Sequence, residues 1–283
     1  MKTGLIMEGG AMRGMFTAGV TDVMLEDGIE FDGGIGVSAG AAFGCNYKSK
    51  QIGRAIRYNM QYCNDERYCG LKTLIKTGDI YGADFCYREL PEKLDIFDGE
   101  TYRANPMEFY VVCTDIVTGK PIYHKCITAG REDLDWIRGS ASMPLVSRIV
   151  ETEGYKLLDG GMSDSVPVKY FESIGYDRNV VILTQPDGYI KKKNKMLPVM
   201  RIKLRKYPNL IATIANRHNV YNETTAYIKE KENSGDLFVV RPPAPLEIGA
   251  VEHNPDKLKQ VYEIGRKTAE EKIKAMKEFL GIA

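Results

Sequence analysis

The chain has 283 residues, 43% of them hydrophobic and 27% charged, with a formal net charge of +1. That length and apolar content suit one α/β domain with a substantial core, and the near-neutral balance argues against a nucleic-acid partner. The six cysteines, Cys45, Cys63, Cys69, Cys86, Cys113 and Cys126, form no C-x-x-C pair, which argues against a zinc ribbon and leaves reduced, structural thiols as the expectation.

Residues 3–7 form a short apolar run that stops at Glu8, Gly9 and Gly10, after which Phe16, Val20, Val23 and Met24 recur at helical spacing. This reads as strand, glycine turn, helix. Glu8 and Arg13 interrupt what would have to be the apolar stretch of a secretory signal, and no later segment approaches a membrane span. The default expectation is a cytoplasmic protein. A second unit follows, with residues 31–37 as a glycine-rich strand, Ser38 at the turn and an alanine-rich helix from Ala39 onward.

Residues 60–100 are rich in Tyr, Cys and Phe, with apolar stretches at 71–75 and 85–90, and read either as a lid or as a peripheral helical subdomain. Strand-like runs at 108–113, 155–158 and 180–184 are separated by spans long enough for crossover helices. The pattern predicts an α/β fold with a mostly parallel central sheet. The region 207–283 reads as helical and closes with a long amphipathic helix. Asn254 caps it, Pro255 lies in its first turn, and Leu258, Val261, Tyr262, Ile273 and Met276 share one face.

Gly36-Val37-Ser38-Ala39-Gly40 matches G-x-S-x-G, whose small residues let the backbone form a strained elbow that exposes a serine hydroxyl. The match sits between a predicted strand and a predicted helix, the setting that this chemistry requires. Negative charge developing on an attacked carbonyl oxygen needs N–H donors, and the turn Gly9-Gly10-Ala11-Met12-Arg13-Gly14 leads into a helix N-terminus. Alone, that turn would also suit a phosphate, but it lacks the Lys-Ser/Thr ending of a P-loop and has acidic Glu8 beside it.

A nucleophilic serine needs a base. The three histidines, His124, His218 and His253, stand in settings that do not mark them as catalytic. Asp159-Gly160-Gly161 instead follows the run Lys156, Leu157, Leu158, so a carboxylate emerges at a strand end in a tight glycine turn.

Together, the Gly-Gly-x-x-Arg-Gly segment, the early G-x-S-x-G and the later Asp-Gly-Gly resemble the patatin-like phospholipases. Further stretches look like the bacterial branch, namely Ser140-Ala141-Ser142-Met143-Pro144 and Ser163-Asp164-Ser165-Val166-Pro167. The similarity spans most of residues 3–187. It implies a three-layer α/β/α fold and hydrolysis of lipid acyl esters by a Ser/Asp dyad, without histidine, metal or other cofactor. Carried over by motif, Ser38 is the nucleophile and Asp159 the base, and Gly9, Gly10 and Ala11 line an oxyanion hole. Arg13 would hold the turn or approach a substrate phosphate, while Gly14, Gly36, Gly40, Gly160 and Gly161 support the motifs. Ala11 stands where the family often has glycine, and Gly161 where many members have alanine.

Residues 191–206 carry Lys191, Lys192, Lys193, Lys195, Arg201, Lys203, Arg205 and Lys206 without an acidic residue, interleaved with Met196, Leu197, Val199 and Met200. This mixture suits an anionic lipid surface, or else a solvated loop followed by an ordinary amphipathic helix. The same dyad would also serve acyl transfer or thioester cleavage, and the fold would also serve a catalytically silent lipid-binding module.

Overall fold

The runs Leu5–Met7 and Gly33–Val37 carry no charged side chain, so both faces of each can be covered, and these runs form the centre of the sheet. The computed structural model describes residues 1–282. In chain order its first elements are β1 (Lys2–Met7), α1 (Gly14–Glu26), β2 (Gly33–Val37), α2 (Ala39–Lys48), α3 (Arg54–Tyr62) and α4 (Leu71–Thr77). Next come α5 (Gly99–Ala104), β3 (Glu108–Asp115), β4 (Pro121–Cys126), α6 (Arg131–Ala141), β5 (Val150–Thr152) and β6 (Tyr155–Asp159). The chain continues through α7 (Val168–Ser173), β7 (Tyr176–Ile182), α8 (Leu197–Lys203), α9 (Pro208–Ser234), β8 (Leu237–Val240) and α10 (Pro255–Leu280). Tight single turns occupy Ala11–Arg13 and Gly160–Met162, and a wide-turned helical stretch occupies Phe85–Leu94.

The sheet is mixed, in the order β5-β6-β3-β2-β1-β7-β8, with β4 also paired to β3. Strands β8, β7, β1, β2 and β3 run parallel, as expected for strands joined by crossover helices. The other end is antiparallel, including the run read from sequence at 155–158. Its cause is local. Strands β5 and β6 are joined by Glu153-Gly154 at φ 46° and 82°, the twist a two-residue hairpin needs.

Alternation along β1 sends Leu5 and Met7 to one face and Ile6 to the other. The first face packs against Phe16 and Met24 of α1 and Leu258 and Met276 of α10, and the second against Phe171 of α7 and Tyr221 and Ile228 of α9. These are the three layers. Helices α1 and α10 approach closely: a Cβ on Gly265 would sit 2.1 Å from the Phe16 carbonyl oxygen. Within residues 60–100, Tyr68, Phe85 and Leu90 are buried in the main core, so this segment is continuous with the domain. The C-terminal region contains strand β8 as well as helices, and that strand pairs with β7.

Candidate active site

Two strand ends meet at consecutive residues of β3. Val37, the last residue of β2, pairs with Val112, and Asp159, the last residue of β6, pairs with Cys113. The chain leaves β2 through Ser38 and leaves β6 through Asp159, so the hydroxyl and the carboxylate emerge from adjoining strand ends, and the Ser38 hydroxyl acts to lower the Asp159 pKa. Both residues are buried, at 8% and 7% exposure, so the pair is screened little by solvent.

Ser38 caps α2 at φ 54° and ψ −119°, a conformation strained for any side chain and the geometry of a sharp strand-to-helix elbow. Gly40 is needed for the close approach that makes the elbow possible, because a Cβ there would lie 2.3 Å from the Met7 carbonyl oxygen. Gly36 is likewise pressed on Gly40, and Gly14 on Ala39 and Phe43. The elbow is held from outside, as the Ser38 N–H donates to Ser140 Oγ at 2.8 Å. Asp159 is clamped on three sides: its N–H donates to the Ser142 carbonyl, its carbonyl accepts from Thr114 Oγ1, and its Oδ1 accepts the Gly161 N–H at 2.8 Å. Gly160 lies against the Val112 carbonyl with no room for a Cβ.

Burial raises the Asp159 pKa above the ordinary carboxylate value, opposed by the Arg217 charge, the Ser38 hydroxyl and the Gly161 N–H. Across from the pair, Gly9 comes so near that a Cβ there would sit 2.8 Å from Ser38 Cβ. Among the described residues, the N–H groups of Gly9 and Gly10 have no backbone acceptor. Ala11 adopts φ 47°, the left-handed region that favours glycine. The turn is fixed by Glu8, whose Oε2 accepts from the Thr184 N–H at 2.6 Å and whose Oε1 accepts from the Tyr221 hydroxyl at 2.8 Å.

An apolar cavity opens from Ser38 and is lined by Met12, Ala42, Phe43, Tyr58, Leu90 and Phe97, among others. Tyr68, Tyr81 and Tyr87 from residues 60–100 also line it, so this segment forms a wall of the cavity. None of the three histidines lines it. His124 lies within β4 and stacks on Trp136, and His253 Nδ1 is 2.6 Å from the Cys63 carbonyl oxygen.

Of the first motif, Gly9 and Gly14 press on the elbow at Ser38 and Ala39, and Gly160 of the third presses on β3 beside it. The structure also adds residues that sequence reasoning did not mark. Ser140 and Ser142 carry the anchors described above, and their only signal was the stretch at 140–144. Arg217 of α9 stands over the aspartate turn, with Nη2 3.2 Å from where a Gly161 Cβ would be. Lys191 does not point to open solvent with the rest of its basic run but packs over the Tyr221 ring at 4.0 Å.

The patatin-like phospholipase family profile matches residues 5–172, and the profile of a domain of unknown function, DUF6363, matches residues 207–281. Uncharacterized protein YjjU of Escherichia coli (strain K12) is 28% identical over 282 residues, covering 93% of this chain and 74% of that protein. Lysophospholipase nte1 of Aspergillus oryzae is 27% identical over 179 residues, covering 62% of this chain and 11% of the fungal protein. Among solved structures, VipD from Legionella pneumophila aligns with a TM-score of 0.47 at 12% identity, covering 97% of this chain and 67% of that one.

Proposed function

The chain belongs to the patatin-like phospholipase family, and from that membership we propose that it hydrolyses fatty-acyl esters of lipids through an acyl-Ser38 intermediate, with Asp159 as general base. The observation that carries this reading is the emergence of buried Ser38 and buried Asp159 at adjoining strand ends. Asp159 takes the hydroxyl proton as Ser38 attacks the ester carbonyl, and returns it to the departing alcohol. Water, deprotonated by the same carboxylate, then releases the fatty acid.

The free N–H groups of Gly9 and Gly10, with that of Ala11, face the developing oxyanion, where loss of one donor typically costs about 3 to 4 kcal/mol. The raised pKa of Asp159 brings a carboxylate closer to the basicity that proton transfer from a hydroxyl requires. The cavity beyond Ser38 takes the acyl chain.

A fluorophosphonate probe tests the assignment. The probe is expected to label Ser38, identified by peptide mass spectrometry, and Ser38→Ala and Asp159→Asn are each expected to abolish labelling and ester hydrolysis. Labelling at another residue, or hydrolysis surviving in Ser38→Ala, would sink the assignment.

We further propose that residues 1–283 act as one catalytic unit that touches anionic membrane through α8 and its approach. Ile190, Met196, Val199 and Ile202 are exposed there among Lys192, Lys193, Lys195, Arg201 and Lys203. Among the described residues no helix is long and apolar enough to cross a membrane. Flotation with liposomes containing phosphatidylglycerol, but not with phosphatidylcholine alone, is the expected result.

A further inference from the structure

Three side chains of different metal-ligating kinds meet where β4 faces the start of α6. His124 and Cys126 are two residues apart on β4, so both leave the same face of the strand. Asp133 lies in the first turn of α6. One ligand atom from each of the three lies within 4.8 Å of the others. None of them lines the apolar cavity that opens from Ser38, so the cluster is separate from the proposed acyl site.

The three atoms are held in place but unsatisfied. Asp133 is buried at 6% exposure. Its Oδ2 accepts the N–H groups of Thr128 and Ala129 at 2.6 and 2.8 Å and the Thr128 hydroxyl at 3.1 Å, which fixes the carboxylate. Its Oδ1 faces His124 Nε2 at 3.7 Å, too long for a hydrogen bond, and accepts none among the described residues. Cys126 is buried, and among the described residues its thiol makes no hydrogen bond, whereas Cys45, Cys63, Cys69, Cys86 and Cys113 each donate to a backbone carbonyl. The His124 ring stacks on Trp136 with centroids 4.1 Å apart. Its other nitrogen, Nδ1, lies 3.8 Å from Glu153 Oε2, an oxygen held by the Trp136 indole N–H at 2.8 Å. A carboxylate behind the imidazole is the arrangement that orients a metal-bound histidine.

A protonated His124 bridging the two carboxylates would close both gaps to about 2.8 Å, as charge-assisted hydrogen bonds do. The open spacing suits an ion instead. A tetrahedral zinc ion holds sulfur, nitrogen and oxygen ligands about 3.3 to 3.6 Å apart, so His124 and Asp133 are nearly in place and a shift of about 1 Å brings in Cys126. Lys48 shares the field of Cys126 and Asp133, but its ammonium is committed to the Met107 carbonyl and the Tyr102 ring. A thiolate and a carboxylate together balance a dication, which avoids burying net charge.

We propose that His124 Nε2, Cys126 Sγ and Asp133 Oδ1 bind a zinc ion, with water completing the tetrahedron. Sulfur and imidazole donors select zinc over magnesium and calcium, which take oxygen ligands. The metal–sulfur bond forms as the Cys126 thiol gives its proton to solvent, and nothing is oxidised or reduced. The ion ties β4 to the first turn of α6, the helix whose last turn sets Ser140 against the Ser38 elbow. Its role is structural and does not depend on the hydrolase reading.

The full chain, freed of metal with a chelator and kept reduced, is titrated with zinc by calorimetry at neutral pH. Cobalt(II) is added in parallel, because its absorption bands report tetrahedral geometry and thiolate ligation. Wild type is expected to bind one zinc ion, to melt a few degrees higher in its presence, and to show a thiolate-to-cobalt charge-transfer band. Cys126→Ala is expected to lose that band. His124→Phe keeps the stack on Trp136, and Asp133→Asn keeps an oxygen for the loop N–H groups; each is expected to weaken zinc binding at least about tenfold. Circular dichroism establishes that each variant is folded, and Cys126→Ser replaces Cys126→Ala if the latter is not. No zinc binding by wild type, or cobalt bound without a thiolate band, overturns the site. A band that survives in the Cys126 variant, or zinc affinity unchanged in His124→Phe and Asp133→Asn, places the metal elsewhere and overturns it as well.

Discussion

The backbone N–H of Ser38 donates to Ser140 Oγ at 2.8 Å, so the strained elbow is anchored by a side chain 102 residues away in sequence. Both residues are buried, and Ser140 is fully enclosed on α6. Ser140→Ala strands the Ser38 N–H without an acceptor, at a cost of about 1 to 3 kcal/mol. The expected result is a melting temperature lower by a few degrees and kcat/KM for a p-nitrophenyl ester reduced about tenfold, because the elbow loses its lateral support. A variant that melts and turns over like wild type would show that Ser140 is incidental.

Ala11 offers the opposite case, a residue whose side chain works against its own backbone. At φ 47° an alanine suffers the Cβ clash of the left-handed region, which glycine avoids. Ala11→Gly is expected to stabilise the protein by about 1 kcal/mol, less the extra freedom glycine gains in the unfolded chain. Thermal melts check this, and a lower melting temperature would mean that the methyl packs in the Ser38 cavity more favourably than the backbone is strained.

These two positions show what the sequence could carry. The elbow was legible because its determinants are local: Gly36 and Gly40 flank the serine, and a strand precedes it. Asp159 was legible for the same reason, as a carboxylate ending an apolar run before two glycines. The Ser38 to Ser140 bond was not, since it depends on where α6 lands against β3. Lys191 read as one lysine of a basic run, and only its clamp to Asn222 and the Tyr221 ring turn it inward. Strand β4, with Lys125 and His124 inside it, offers no apolar run to read, and β5 has only three residues. Of the antiparallel end, only β6 was therefore legible as a strand, and its direction was not.

The acyl cavity predicts a chain-length effect. Ala42 lines it one helical turn beyond Ser38, and Ala42→Phe places a ring in the space a chain would occupy. Each methylene excluded from an apolar site forfeits about 0.8 kcal/mol, so excluding two of them changes kcat/KM by about an order of magnitude. The ratio of decanoate to acetate p-nitrophenyl ester hydrolysis is expected to fall by at least that much. An unchanged ratio would place the chain elsewhere.

Asp159 links activity and stability in opposite senses. Its folded pKa lies above the ordinary value of 3.8, mainly through burial, so the native state holds its proton to higher pH than the unfolded chain does. Stability from this residue therefore declines as pH rises from 3.8 through the raised pKa, and the penalty is complete above it. Asparagine carries no charge to bury, and its oxygen can still accept the Gly161 N–H. Asp159→Asn is thus expected to melt higher than wild type at pH 7, with the difference vanishing as pH approaches 3.8. Hydrolysis moves the other way, because a protonated carboxyl cannot accept the Ser38 proton. The acid limb of kcat/KM in wild type should have its midpoint above 3.8, and the asparagine variant should show no activity on either side of it. A variant less stable than wild type at neutral pH would mean that the Arg217 charge, not burial, governs this carboxylate.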